Sequence, residues 1–172
     1  MANNNNPHGF RPLMRSLTGG PGASALSAHK IVGEGTALFI GDAVQLGGSG
    51  TKFSAAIKAA AASSSIYGIN LIYGAASTAT DHIFLPAQFQ LFEVQIDTVT
   101  AAQLQQNAAL VATAGDATLH LSKHSLGSIA TTNTLEWRLL QLYNSVDNAV
   151  GAYARVIVTT IQSQIQDQVA GV

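Results

Sequence analysis

From Ala28 onward the chain is cut into short runs rich in Ile, Val, Leu, Phe and Tyr, each ended by Gly, Asn, Asp or Ser. Branched and aromatic side chains suit a pleated, half-buried surface and the interrupting residues suit turns, so the pattern predicts a mainly β body. Residues 36–46 read as two short strands around a bend at Gly41-Asp42, and residues 66–73, 89–97, 119–121, 135–143 and 153–165 as further strands. In the last of these, Tyr153, Ile157 and Ile161 alternate with Ala154, Val156 and Val158. Both faces are apolar, as in a strand covered on both sides, which places it centrally. Residues 144–148 form the turn leading into it.

One segment reads as helix. Thr100-Ala101-Ala102-Gln103 has capping-box spacing, in which the Thr hydroxyl and the Gln side chain each serve an orphan amide. A short helix over about 101–110 is expected to follow. The small-residue tract 47–65 reads as a long loop, or as a helical turn or two around 53–62. Pro86 belongs at a strand boundary, where its missing N–H does least harm. The expected class is a small antiparallel β-barrel or sandwich with one short helix.

Residues 1–24 stand apart from this body of residues 25–172. They hold an Asn run, three of the four prolines and clustered glycines, a mixture that disfavours helix and ladder alike. Yet Phe10, Leu13, Met14 and Leu17 are set among Arg11 and Arg15, apolar content that a merely flexible tail does not need. The segment reads as an extended arm that lies on a partner rather than in the core; the alternative is a disordered leader.

At 172 residues the chain is about one domain on the usual ~150 residues per domain. Hydrophobic residues make up an ordinary 47%, but charged residues only 10% against a typical ~25%. A surface so poor in charge, with mean hydropathy +0.24, suits a subunit that covers part of itself with other subunits. The net charge of −1 offers no electrostatic footprint for nucleic acid. No cysteine is present, which excludes disulfides, thiolate metal sites and a Cys nucleophile. Asp42, Lys58, Asp81 and Asp97 interrupt the apolar stretches before the ~20 residues a membrane helix needs. The opening MANNNNPHG lacks the basic end and apolar stretch of a signal peptide, so a soluble chain beginning near Met1 is expected.

Catalytic patterns are sparse. Gly-x-Ser-x-Gly is absent, and the glycine pairs at 20–22, 33–35 and 48–50 continue neither to a dinucleotide fingerprint nor to a phosphate loop. His120 and His124 have a spacing that on a helix could share zinc, but they lie in a strand-like stretch without a Glu or Cys companion. Asp81 and His82, being adjacent on a strand, point to opposite faces. Glu93, Asp97, Glu136 and Asp147 could serve glycoside hydrolysis only if two of them stood ~5 to 9 Å apart. Trp137, alternating with Leu135 and Leu139, faces the core most simply, with sugar stacking as the alternative.

Four segments in order carry a resemblance: PHGFRPL at the start, GDAVQL after a β run, FEVQID in mid-chain and VDNAVGAYARVIVTTIQSQ near the end. Together they resemble a group of head decoration, or cement, proteins of tailed bacteriophages. The resemblance spans most of the chain and implies a non-enzymatic β-rich protein without cofactor or metal, made in the bacterial cytoplasm and placed on the outer surface of the phage head. It implies a homotrimer whose partner is the major capsid protein, bridging neighbouring capsid subunits, with neither nucleic acid nor membrane involved. Carried over, Pro7, Gly9, Phe10, Arg11 and Pro12 would belong to an arm that grips the capsid or a neighbouring subunit; Leu13, Met14 and Leu17 join that binding arm on the apolar content noted above. Asp42, Phe92, Asp147, Asn148 and Tyr153 would be scaffold positions. The Asn run 3–6 and the Ala/Ser tract 55–65 depart from the group. A tail, head-fibre or host-glycan-binding module is the alternative, and an enzyme the third reading.

Overall fold

The structure, a computed structural model, describes residues 3–16, 26–30, 36–46, 56–61, 65–78 and 81–164. Among these the strands are β1 (Arg11–Ser16), β2 (Leu26–Lys30), β3 (Ala43–Leu46), β4 (Ala56–Ala59), β5 (Gly68–Asn70), β6 (Asp81–Pro86) and β7 (Gln90–Gln95). They continue with β8 (Thr98–Val99), β9 (Asn107–Val111), β10 (Ser125–Ala130), β11 (Trp137–Leu142), β12 (Gly151–Ala152) and β13 (Arg155–Thr160). The chain is mainly β, with antiparallel sheets in a sandwich-like arrangement, as expected.

Six strands form one sheet in the order β1-β7-β13-β11-β9-β10. The sheet bends round on itself: Ile96, just past β7, bridges Leu126 of β10, and the Asp97 amide donates to the Leu126 carbonyl at 2.9 Å. The pairings of β2, β4, β3, β5 and β6 make a second, closed circuit, antiparallel except between β2 and β4. Alternation on β6 joins the two units. Phe84 packs with Leu38, Val44 and Tyr67 in a small cluster of its own, while its neighbour Leu85, on the opposite face, joins Ile69 and Ala87 in the main core with Phe92, Leu139, Val156 and Val158. β13 lies between β7 and β11 and is buried or half-buried throughout, the central strand its two apolar faces predict.

Three sequence expectations need correction. The helix over 101–110 is a single 3-10 turn, Ala101–Gln103. The Thr100 amide does donate to Gln103 Oε1 at 2.9 Å, but Gln105 turns to φ +74° and Asn107 starts β9. Ala108 and Leu110 are buried there between β10 and β11, so sheet pairing overrides helix propensity. The tract 47–65 holds strand β4, which docks on β2 and β3, where helical turns were the alternative to a loop. Residues 119–121 are not a strand but the end of a turn. The Asp116 carboxylate takes the amides of Thr118 and Leu119 at 2.9 and 3.0 Å, a local substitute for ladder bonds.

The N-terminal segment departs further from expectation. Asn3 mimics a backbone pairing: its side-chain nitrogen donates to the carbonyls of Ala149 and Ala152, both at 2.8 Å, and its oxygen accepts from the Ala149 amide at 2.9 Å. Phe10 is fully buried, stacked on Trp137 with centroids 4.2 Å apart and edge-on to Phe92 at 6.3 Å. β1 then pairs with β7 as a sheet edge. Up to Ser16 the segment belongs to the body rather than to a separate arm. The contact is close. Gly9 has φ +73°, and a Cβ there would collide with Ser122 and come within 2.6 Å of the Gly41 carbonyl oxygen. No helix among the described residues is long and apolar enough to cross a membrane.

Truncating Phe10 removes one of the largest buried side chains from contact with Trp137. Phe10→Ala is expected to lower unfolding free energy by about 3–5 kcal/mol, read from the denaturant midpoint at unchanged slope. A loss under about 1 kcal/mol, the scale of an ordinary surface change, would mean that the segment is only loosely docked.

Candidate functional site

The residues read as a gripping arm separate into three groups. Gly9 and Phe10 are buried within this chain's own core, which corrects the expectation that they contact a partner. Pro7 and Leu13 are half-buried, and Arg11 and Pro12 are exposed on the edge strand. Met14 lies on β1, and Leu17 falls outside the described residues. Trp137 is fully buried, as its alternation with leucines predicted, so it has no face to stack on a sugar.

Two cavities carry the polar chemistry. The larger, about 510 Å³, lies where residues 36–42 and 60–61 meet the loop 112–124. Its lining is mostly small, Ala60, Ala61, Ala112, Ala114 and Gly115 among them, with Asp42 and His124 as the ionisable groups. Asp42 closes the turn 39–42. Its amide donates to the Phe39 carbonyl at 3.1 Å while its Oδ2 accepts from the Phe39 amide at 2.8 Å, and Gly41 at φ +92° makes the bend possible. His124 Nδ1 accepts from the Ala43 amide at 3.2 Å, so the proton sits on Nε2, 3.5 Å from Asp42 Oδ1. Ser122 Oγ accepts from the His124 amide at 3.0 Å.

A Ser, a His and an Asp thus lie together, a constellation not evident from the spacing in sequence. Their bonds are not those of a nucleophile and its base. The His124 nitrogen with a lone pair is taken by the Ala43 amide, and Ser122 bonds the Asp42 carboxylate and the His124 amide rather than the imidazole. The trio ties the loop 112–124 to β3. Burial raises the Asp42 pKa above its ordinary value, against lowering by His124, Ser122 and the Phe39 amide; burial lowers that of His124, against raising by Asp42.

The second cavity, about 230 Å³, is polar. It is lined by Asn3, Asn4, Asn6, His8, Arg11, Gln95, Asp147, Asn148, Tyr153 and Arg155. Sheet register builds it. Arg11 pairs across β1 with Glu93 on β7, and Arg155 pairs with Gln95. Arg155 reaches Asp147 at 2.6 Å and Glu93 at 3.5 Å, with its guanidinium 5.4 Å from the Tyr143 ring centroid. Asn148 braces the loop, donating to the carbonyls of Tyr143 and Arg155 at 2.7 and 2.8 Å and accepting from the Arg155 amide at 2.8 Å. His8 Nδ1 donates to the Gly9 carbonyl at 3.2 Å, and Nε2 stands 3.8 Å from Glu93 Oε1. Burial, then Arg11, lowers the His8 pKa, against raising by Glu93.

Other candidates are dispersed. His120 stacks on Tyr73 with centroids 3.8 Å apart while His124 is buried against Asp42, so the pair is not joined. Among the described residues no group of three His, Cys, Asp or Glu could hold a metal ion. His82 is buried, 2.8 Å from Asn70 Oδ1, while Asp81 is exposed, on opposite faces as expected. Glu136 is fully buried and its Oε2 accepts from the Leu110 amide at 3.0 Å. Of the other acids weighed for glycoside hydrolysis, Asp97 lines a cavity of its own, whereas Glu93 and Asp147 are joined through the Arg155 guanidinium. Comparison of the chain with protein-family models and with curated proteins finds no match.

Protonation links this chemistry to stability. His124 and His8 have folded pKa values below the ordinary 6.5, so the unfolded chain takes up protons first as pH falls. Their contribution is complete above pH ~6.5 and declines as pH drops through that value toward the folded pKa. Asp42, raised above 3.8, acts oppositely, gaining stability as pH falls toward its raised folded value. Between pH 7.5 and 5.5 the unfolding free energy is expected to fall, and to fall less in His124→Gln, by denaturation at both pH values. Equal slopes in the two proteins would remove His124 from the account.

Proposed function

We propose that the chain is a non-enzymatic structural protein of a phage virion, a decoration protein that binds the outer capsid surface as a homotrimer and bridges major capsid protein subunits. The four segments that carry the resemblance support this by meeting in one scaffold. PHGF supplies the plug that bonds to the Gly41 carbonyl, FEVQ supplies β7, and VDNAVGAYARVIVTT supplies the braced loop and the strand beside it.

The observation that carries the reading is an apolar patch on paired segments. Leu38 bridges Gly74, and Ile40 bridges Leu121, so residues 38–40, 72–74 and 119–121 lie side by side. On them Ile40, Ile72 and Leu119 are 38, 39 and 65% exposed. Asn70 holds the patch stiff from beneath, donating to the carbonyls of Phe39 and Ile72 at 2.9 and 2.5 Å. A rigid, uncharged patch loses little entropy on docking and buries no unpaired charge. Three copies in a trimer engaging together would turn modest contacts into firm attachment.

Light scattering on the purified chain is expected to give a trimer, and co-sedimentation with undecorated phage heads to carry it into the pellet. Leu119→Asp, at an exposed position, is expected to weaken pelleting about tenfold, or ~1.4 kcal/mol, without loss of fold. A monomer that stays in the supernatant, or a variant that pellets as the parent does, contradicts the proposal.

A further inference from the structure

The polar cavity beside the N-terminal segment shares no residue with the apolar patch on which the proposed function rests. Its rim is formed by Asn4, Asn6, Arg11, Asp147 and Tyr153, all exposed, and beneath it lies His8, whose buried Nε2 has no hydrogen-bond partner. A buried nitrogen left without a donor in an otherwise well-bonded floor is a marker of an absent partner.

We infer that this cleft binds one ring of a neutral sugar. Charge argues for the class. Arg155 is engaged by Asp147 and by Glu93, and with Arg11 in the lining the two cations and two anions sum to zero, which favours a neutral ligand over a phosphate, sulfate or carboxylate. What it offers is a close mixture of amide and guanidinium donors with amide and carboxylate acceptors. A polyol that both donates and accepts at each hydroxyl fits that mixture, and one hydroxyl supplies the donor that His8 Nε2 lacks. The size agrees: about 230 Å³ holds roughly seven waters at ~30 Å³ each, the room of a single pyranose. Tyr153 adds an aromatic side chain to the lining and is held at φ +57°, fixed by its amide bond to Asp97 at 3.0 Å and by Gln95 Nε2 on its carbonyl at 3.2 Å. A bulky residue in the left-handed region persists where its surroundings impose it, commonly at ligand clamps.

The test is an amide-resolved NMR titration of the full chain with a panel of neutral monosaccharides and disaccharides, and separately with inorganic phosphate. Saturable shifts at Asn148, Tyr153 and Arg155 with a neutral sugar and not with phosphate are expected. Affinity is expected to fall about tenfold in Arg11→Ala and in Tyr153→Gly, while Leu119→Asp binds as the parent does. Both cleft variants are expected to retain the fold, since Arg11 is exposed and glycine suits the backbone at 153, and the amide spectrum itself checks this. The inference is overturned by no saturable shift with any neutral sugar at millimolar concentration, by a response to phosphate alone, or by full affinity in both cleft variants. None of these outcomes depends on whether the chain pellets with phage heads.

Discussion

The ring of Phe10 lying flat on Trp137 is the contact around which the structure closes. Trp137 begins β11, Phe92 sits on β7, and Phe10 meets both. The Phe10 amide at the same time donates to the Gly41 carbonyl at 2.9 Å, so one residue joins the six-stranded sheet to the turn that opens the second circuit of strands. Such an approach leaves no room for a side chain at position 9, and Asp42 and Asn70 must shape the turn that receives it.

Buried polar groups make this junction specific. The Gly41 amide donates to the Asn70 carbonyl at 2.8 Å, the Asn70 amide to the Asp42 carbonyl at 2.9 Å, and the Asn70 side chain meets His82 at 2.8 Å. An apolar core would tolerate several registers between the two units, whereas unpaired amides and carboxylates in a dry interior cost too much to allow a slip. Exposed apolar residues at the patch and exposed polar residues at the cleft can then be held stiffly, because the backbone beneath them is already committed.

Strand chemistry was legible where it is local. β13 is apolar on both faces because sheet neighbours flank it and packing covers it on either side, and alternation around Trp137 placed that ring inside. Where pairing partners lie far apart in sequence, local signals misled. The Thr100 capping box is real but one turn long, because Ala108 and Leu110 are claimed by β10 and β11. Asn, Pro and Gly at the N-terminus read as an arm because those residues disfavour regular ladders. Here they serve other ends: Asn3 imitates a backbone pairing, Gly9 permits close approach, and Pro12 sits on an edge strand. The ion cluster of Glu93, Asp147 and Arg155 had no sequence signal beyond single charges, since only the pairing of β7 with β13 and the loop before β12 bring them together.

Native-state hydrogen exchange at the Phe10 amide tests most directly whether the N-terminal segment is core. If the segment completes the structure, this amide exchanges only through global opening, with the same free energy and denaturant dependence as Val156 and Val158 in β13. Rapid exchange at Phe10 while β13 remains protected would contradict the account and return the segment to the status of a detachable arm.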